Sequence, residues 1–275
     1  MVLSLQSTVR LNDGVEIPIL GLGVYQASPG RVTQAAVGYA LEIGYRHIDT
    51  ASIYGNEADV GLAVRESGIP RDEIFVTTKL WNDDQGYDPA IRACESSLRR
   101  LGLDYVDLYL IHWPVPRVRK ESWRALLRLQ REGKCRSIGV SNYMIHHLEE
   151  LLGESPVAPS IDQVEFSPFL FRKELLAYCR HRGIQLEAYS PLTKGYRLDD
   201  PTVRRVAAKY GKTPAQILIR WSLQHGNVVI PKSVRPEHIR ENSQVFDFQI
   251  SEEDMSLLNS LDEGLATGWD PEGAP

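Results

Sequence analysis

The sequence predicts an α/β chain wound as a (β/α)8 TIM barrel, its bottom closed by an N-terminal β-hairpin. Three observations carry that reading. Strand-like and helix-like stretches alternate from end to end, the pattern of a parallel sheet built from repeated crossovers. The length of 275 residues suits one barrel of roughly 250 residues. Asp49, Lys79 and His112 each close a separate apolar-leading strand, and Tyr54 lies in the loop after the first, the end where such barrels keep their chemistry.

The elements follow in order. Thr8–Arg10 and Glu16–Pro18 flank Asn12-Asp13-Gly14, a strong hairpin turn, and the hairpin, about residues 8–18, is expected to cover the barrel bottom. Eight strands are then read at Ile19–Leu22, Tyr45–Asp49, Phe75–Lys79, Val106–His112, Ser137–Val140, Ile161–Glu165, Gln185–Tyr189 and Val228–Ile230. Between them, Ile91, Cys94, Leu98 and Leu101 make a one-sided helical stripe, as do Trp123, Leu126 and Leu127. Gly68, Gly102 and Gly183 stand just past helix ends, where a left-handed residue is wanted. Ser251-Glu252-Glu253-Asp254 opens a last helix with acids in its first turn. The tail, about 264–275, is rich in Gly, Pro and acids and is expected to be loosely held. Without linker, repeat or low-complexity stretch, residues 1–275 read as a single domain.

Composition narrows the function classes. With 43% hydrophobic and 24% charged residues the chain can bury a sizeable core. A net charge of -5 argues against a nucleic-acid partner, which leaves a basic footprint. Three dispersed cysteines, Cys94, Cys135 and Cys179, suggest neither a metal site nor a disulfide framework, and fit a reducing compartment. No apolar run approaches the ~20 residues of a membrane span, and no leader is visible at the start. The expectation is a cytoplasmic monomer acting on a small molecule, with no metal, membrane or nucleic acid.

The strand-end residues form a chemical unit. Tyr54 has a phenol that stays protonated at neutral pH and can deliver a proton to a developing alkoxide. Lys79 is expected to lower the phenol's pKa toward the working pH, and Asp49 to hold Lys79 in place and charged. His112 is expected to donate a hydrogen bond that orients the reacting oxygen.

Six ordered stretches carry a resemblance to a known family: Gly44 to Glu57, Lys79-Leu80-Trp81, His112-Trp113-Pro114, Gly139-Val140-Ser141-Asn142, Gln163-Val164-Glu165 and Ile230-Pro231-Lys232-Ser233. Along its whole length the chain resembles the aldo-keto reductases, most of all the bacterial branch with 2,5-diketo-D-gluconate reductases. The resemblance implies reduction of carbonyls by hydride transfer from NADPH, with Asp49, Tyr54, Lys79 and His112 as catalytic residues.

Carbonyl reduction needs a hydride source, and nicotinamide supplies it. A Rossmann site fails as the alternative, because Gly21-Leu22-Gly23 is followed by Gln26 where the third glycine belongs. By the resemblance, Gly23 and Val24 form a turn beside the nicotinamide, and Ser141, Asn142 and Gln163 hold its carboxamide. Tyr189 stacks on the ring, and Ser190 and Leu192 line the pyrophosphate path. Lys232, Ser233, Val234 and Arg235 lead into a helix at Pro236, and a helix N-terminus favours phosphate. They are expected to take the adenosine 2'-phosphate, with Glu241 and Asn242 at the adenine. His238 departs from the family's arginine, and an imidazole lacks the guanidinium's bidentate fork. NADH is therefore expected as a weaker second cofactor.

Val24, Tyr25, Trp81, Trp113, His112 and the tail near Trp269 match family positions around the substrate mouth. The loops after His112 and at Thr193–Arg197 are short, so the site is expected to be open and to take small aldehydes, α-dicarbonyls or keto-sugars. Two rival classes fit the sequence less well. A cofactor-sensing binding protein like the potassium channel β subunits would need a docking surface that nothing here suggests. A metal-dependent hydrolase would need a histidine partner for His112 that the strand ends lack.

Overall fold

The computed structural model describes residues 3–275. It opens with β1 (Thr8–Arg10) and β2 (Glu16–Pro18), paired antiparallel in the register Thr8↔Pro18 and Arg10↔Glu16. The turn closes by bonds from Leu11 N to Val15 O and from Gly14 N to Leu11 O. Leu11 and Ile17 then point into the barrel and pack on Phe75, Leu108, Leu110, Ile161 and Val228, an apolar plug at the closed end. Each such fully buried side chain contributes about 1.5–3 kcal/mol. The hairpin therefore seals the bottom by hydrophobic burial.

The winding follows in chain order. β3 is Leu22–Gly23, α1 Arg31–Glu42, β4 His47–Asp49, α2 Glu57–Glu66, β5 Phe75–Leu80 and α3 Tyr87–Leu101. β6 is Val106–Ile111, α4 Arg119–Arg131, β7 Cys135–Ser141, α5 Ile145–Glu154, β8 Ile161–Glu165, α6 Lys173–His181 and β9 Gln185–Tyr189. α7 is Pro201–Tyr210, α8 Pro214–Gln224, β10 Val228–Val229, α9 Pro236–Ser243 and α10 Glu252–Asn259. The sheet runs β3 to β10 in sequence order, with every neighbouring pair parallel. Parallel bridges Leu20↔Val229 and Gly23↔Lys232 join first strand to last. This is the expected (β/α)8 barrel with its hairpin.

Strand alternation sorts side chains into two environments. Val76, Tyr109, Ile138, Val164 and Ala188 face outward and pack under the helices in the main core. Inward, the apolar floor gives way toward the C-terminal ends to His47, Asp49, Lys79, Gln163 and Glu187, all buried. That change from apolar to ionisable lining is what the site is built on.

The element bounds differ from the sequence reading in ways with physical causes. The first strand was read at Ile19–Leu22 but pairs regularly only at Leu22–Gly23. Here the chain runs so close to β4 that a side chain at Gly21 would meet His47 Nδ1 at 2.6 Å. β4 begins at His47 rather than Tyr45, whose hydroxyl instead donates to Ile239 O at 3.1 Å and ties the strand to α9. Gly102 caps α3 at φ 63°, as its placement predicts. The tail, expected to be loose, carries several contacts: Thr267 N donates to Glu165 at 2.9 Å, and Arg172 pairs with Asp270 at 2.8 Å and Glu272 at 3.1 Å. No helix among the described residues is long and apolar enough to cross a membrane.

Candidate active site

At the C-terminal end of β4, Asp49 turns into the barrel, and a 3-10 turn at Ser52–Tyr54 carries the phenol back over it. Two anchors fix that turn. Ser52 Oγ donates to Lys79 O at 3.0 Å, and Asn56 bridges the loops. The Asn56 amide accepts from Thr50 Oγ1 at 2.7 Å and donates to Val24 O at 3.0 Å. Just beyond, buried Glu57 takes Thr78 Oγ1 and Arg100 Nε, both at 2.6 Å, and pins the start of α2 against β5 and α3.

Lys79 is fully buried, and its ammonium donates to Asp49 Oδ1 at 2.7 Å and to Thr50 O at 2.8 Å. An uncompensated charge there would be costly, and the pair with its extra hydrogen bond is what makes it tolerable. Gln163 Nε2 donates to the other oxygen, Asp49 Oδ2, at 2.8 Å. Burial pushes the Asp49 carboxyl up, opposed by the charge and hydrogen bond of Lys79 and by Gln163.

The rings gather above this pair. Tyr54 and His112 meet edge to face with centroids 5.8 Å apart, Tyr25 lies 5.0 Å from Tyr54, and Trp81 5.2 Å from His112. Trp113 adjoins His112 and is capped by Trp269 at 4.8 Å. Tyr25 and Trp269 remain 47% and 58% exposed, so the mouth is open on that side.

Electrostatics set the protonation states. Burial holds His112 well below its ordinary value, and the charge of Lys79 lowers it further, so the ring is neutral. Its Nδ1 is buried without a partner, which favours placing the single proton on Nε2. Tyr54 departs from expectation. Although part of the residue reaches the cleft, surrounding groups desolvate the phenol and hold it well above its ordinary value, and the charge of Asp49 adds to this. Lys79 was expected to pull the phenol down. Its ammonium lies 5.1 Å from the ring centroid and spends its hydrogen bonds on Asp49 and Thr50. The phenol is thus kept protonated, the state a proton donor needs.

Around the rim stand the residues read as cofactor contacts. Asn142, at φ 63°, donates through Nδ2 to His112 O at 3.0 Å and accepts from Tyr189 Oη at 2.8 Å. Ser141 Oγ donates to Gln163 O at 2.7 Å. These bonds bring Ser141, Asn142, Gln163 and Tyr189 beside His112, and the Gly23↔Lys232 bridge brings Gly23, Val24 and Lys232 to the same rim. Ser190 sits at φ 47° and half-buried Leu192 follows it. Val234 packs on the core, while Lys232, Arg235 and His238 are exposed around the start of α9.

The helix start bears on whether a phosphate fits. α9 begins with Pro236 and has no side-chain cap, which leaves its first-turn N–H groups for an anion, flanked by Lys232, Ser233 and Arg235. The residues present fit a dinucleotide phosphate. Asn242 is buried on the same helix. Glu241 is turned toward α8 and accepts from Thr213 Oγ1, so its carboxylate is already engaged.

Two groups of the interior escaped the sequence reading: His47 and Glu187. Gln163 Nε2 reaches Glu187 Oε2 at 2.9 Å as well as Asp49, and Glu187 Oε1 lies 3.5 Å from His47 Nε2. The period of a strand could have found them, because His47 is two residues before Asp49 and Glu187 two before Tyr189, on the same faces.

Comparison with known proteins is consistent along the chain. Residues 20–263 match the model of the Aldo/keto reductase family. A glyoxal reductase of Bacillus subtilis (strain 168) is 50% identical over 269 residues, which cover 98% of each chain. Methylglyoxal reductase DkgA of Yersinia pestis is 48% identical over 274 residues, again 98% of each. Among solved structures, an aldo-keto reductase of Bombyx mori in complex with NADP superposes with a TM-score of 0.90 at 37% identity, covering 97% of this chain and 95% of that one.

Proposed function

The chain belongs to the aldo/keto reductase family, and from that premise we propose that it reduces small carbonyl compounds, α-dicarbonyls foremost, through Tyr54. The observation that carries the proposal is the buried Lys79–Asp49 pair beneath a protonated Tyr54 and a neutral His112, at a mouth that stays open. NADPH, when bound, supplies the hydride that reaches the carbonyl carbon. The residues of the chain do the rest. His112 Nε2 donates to the carbonyl oxygen and aims it, and Tyr54 Oη gives the proton as negative charge gathers there. Lys79, held by Asp49, supplies a fixed positive charge below the phenol that eases loss of its proton during the reaction.

Ser141, Asn142, Gln163 and Tyr189 are proposed to hold the nicotinamide end, and Ser190 and Leu192 the pyrophosphate path. Lys232, Ser233, Val234 and Arg235 at the uncapped start of α9 are proposed to take the 2'-phosphate, with Asn242, Glu241 and His238 beside the adenosine. Tyr25, Trp81, Trp113 and Trp269 wall the mouth apolarly. The short loops leave room for a small, polar-ended substrate, as the names glyoxal reductase and methylglyoxal reductase of the two relatives suggest. A monomer in the cytoplasm belongs to the same proposal, and the three buried free thiols fit a reducing compartment.

The test is a substrate panel read by the absorbance of reduced nicotinamide, with glyoxal, methylglyoxal, small aldehydes and keto-sugars. Fastest consumption with the α-dicarbonyls is expected. No consumption with any of them, under conditions where NADPH binds, would remove the catalytic reading.

A further inference from the structure

Glu187 is a buried carboxyl that the proton-transfer scheme does not use, and its surroundings give it a place. It sits mid-strand in β9, level with Val228 of β10, two residues before Tyr189 and on the same inward face. Its Oε2 takes one hydrogen of the Gln163 amide at 2.9 Å while Asp49 Oδ2 takes the other at 2.8 Å. With both hydrogens of Nε2 committed to carboxyl oxygens, the amide has one orientation, and only Oε1 of Gln163 is left for a ligand. The remaining oxygen, Glu187 Oε1, has no hydrogen-bond partner and lies 3.5 Å from His47 Nε2, which leaves a place for a proton on that side.

We propose that Glu187 is a positioning residue that ties the charge of the nicotinamide ring to a buried proton. The inference rests on the nicotinamide site proposed above. Ionised Glu187 favours the oxidised, cationic cofactor; protonated Glu187 favours the reduced, neutral one. The barrel interior otherwise balances, with Lys79 positive and Asp49 negative, so a second carboxylate is an unmatched negative charge that a cationic ring can answer. Catalysis changes the ring's charge by one unit as hydride passes to the carbonyl carbon and Tyr54 protonates the oxygen. Glu187 loses its proton to solvent, or regains it, as the cofactor is exchanged.

The titratable and charged groups facing Glu187 are His47 and Asp49 on β4, Lys79 on β5 and Tyr54 above them. β10 presents Val228 and no charge there. Burial first, and then the charge of Asp49, push Glu187 up to about 8, while Gln163 and Lys79 oppose the rise. Burial lowers His47 to about 3, His112 is neutral and Tyr54 is held high, so these stay fixed while Glu187 changes state.

The experiment measures dissociation constants for NADP+ and NADPH from the full chain by tryptophan fluorescence quenching, between about pH 6 and 10 to span the range of a perturbed carboxyl. Their ratio is the readout, because effects on the shared adenosine end cancel in it. In the native protein NADP+ should gain on NADPH with rising pH, on the order of tenfold across the window for two charges in a partly shielded interior. Glu187→Gln should leave the ratio flat, and Glu187→Asp should restore part of the slope. A merely structural Glu187 would weaken both cofactors alike without touching the slope. A flat native ratio, or an unchanged slope in Glu187→Gln, overturns the proposal. Should that variant not fold, calorimetry of the native protein in two buffers decides it: net proton release with NADP+ and none with NADPH supports the coupling, and equal release refutes it. Failure to bind either nucleotide would instead sink the reading of the site itself.

Discussion

The ammonium of Lys79 lies 5.1 Å from the ring centroid of Tyr54 yet gives its hydrogen bonds to Asp49 and Thr50. The two residues are therefore coupled through space. In the resting protein burial dominates and keeps the phenol protonated, with the lysine's charge in reserve for the moment the proton leaves.

That arrangement makes Tyr54→Phe a clean probe. The proton is needed only when charge builds on the substrate oxygen, so kcat and kcat/KM should fall together, by about 10² to 10⁴. NADPH affinity should stay within about twofold, since the change removes one hydroxyl and leaves the fold's contacts alone. A loss of less than tenfold, on the scale of ~10² typical for a general acid, would take Tyr54 out of the role.

Lys79→Met tests the reserve charge separately. The variant leaves Asp49 buried beside Gln163 and Glu187 without its cation, and breaking a buried pair costs about 3–5 kcal/mol. Lower thermal stability is expected together with a loss of kcat comparable to that of Tyr54→Phe. Lys79→Met with Asp49→Asn should recover stability, as the unpaired charge is gone, but not kcat. Recovery of both would assign Lys79 to folding alone.

The sequence made the strand ends legible because barrels place reactive groups there, and Asp49, Tyr54, Lys79 and His112 are found together as that rule implies. It paired Asp49 with Lys79, as found, but could not show that Thr50 O takes a second hydrogen bond from the ammonium, since that depends on how the backbone after Asp49 turns. His47 and Glu187 stayed hidden because each sits one strand period below a residue that drew the attention. The contacts of the tail were equally unreadable, since Arg172 meets Asp270 across 98 residues of chain. Composition reports that a segment is polar, not that a buried guanidinium waits for it.

Arg172→Ala bears on that tail. Arg172 is nearly buried, while Asp270 and Glu272 are largely exposed, so each pair is worth about 0.2–1 kcal/mol after screening. The tail carries Trp269, which packs on Trp113 at the mouth. Looser docking should raise KM for small dicarbonyls about threefold with kcat nearly unchanged, and salt should reproduce part of the effect in the native protein. Limited proteolysis should cut the variant faster within residues 264–275. Unchanged KM and cleavage would mean the tail is held by other contacts.

Asp162 offers a prediction about stability. Neither carboxyl oxygen has a well-formed hydrogen bond, and burial pushes its pKa well above the ordinary carboxylate value, opposed by the nearby backbone N–H of Tyr143 and then by the charge of Arg172. The folded chain therefore holds this proton more tightly than the unfolded one. Below pH ~4 both states are protonated and nothing is lost; above it the unfolded chain ionises first, and stability falls by up to about 1.4 kcal/mol per pH unit. Asp162→Asn removes the titration. Its Tm advantage over the native protein should be near zero at pH ~4 and grow toward neutrality. A difference that does not change with pH would mean that Asp162 is ionised and partnered in the folded state.

His238 decides how strictly NADPH is preferred. It is exposed in the first turn of α9, beside the uncapped N–H groups and the exposed cations Lys232 and Arg235. Those two charges should favour NADPH, but an imidazole lacks the bidentate fork of a guanidinium, and charge-assisted contacts of that kind are roughly twice as strong as neutral ones. Measurable activity with NADH and a modest NADPH advantage are expected, the advantage largest at low salt. His238→Arg should widen the ratio of kcat/KM for NADPH over NADH, mainly by tighter NADPH binding. The ratio measured in both proteins at two ionic strengths tests this directly. If it does not move, residue 238 faces away from the phosphate, and the discrimination rests on Lys232 and Arg235 alone.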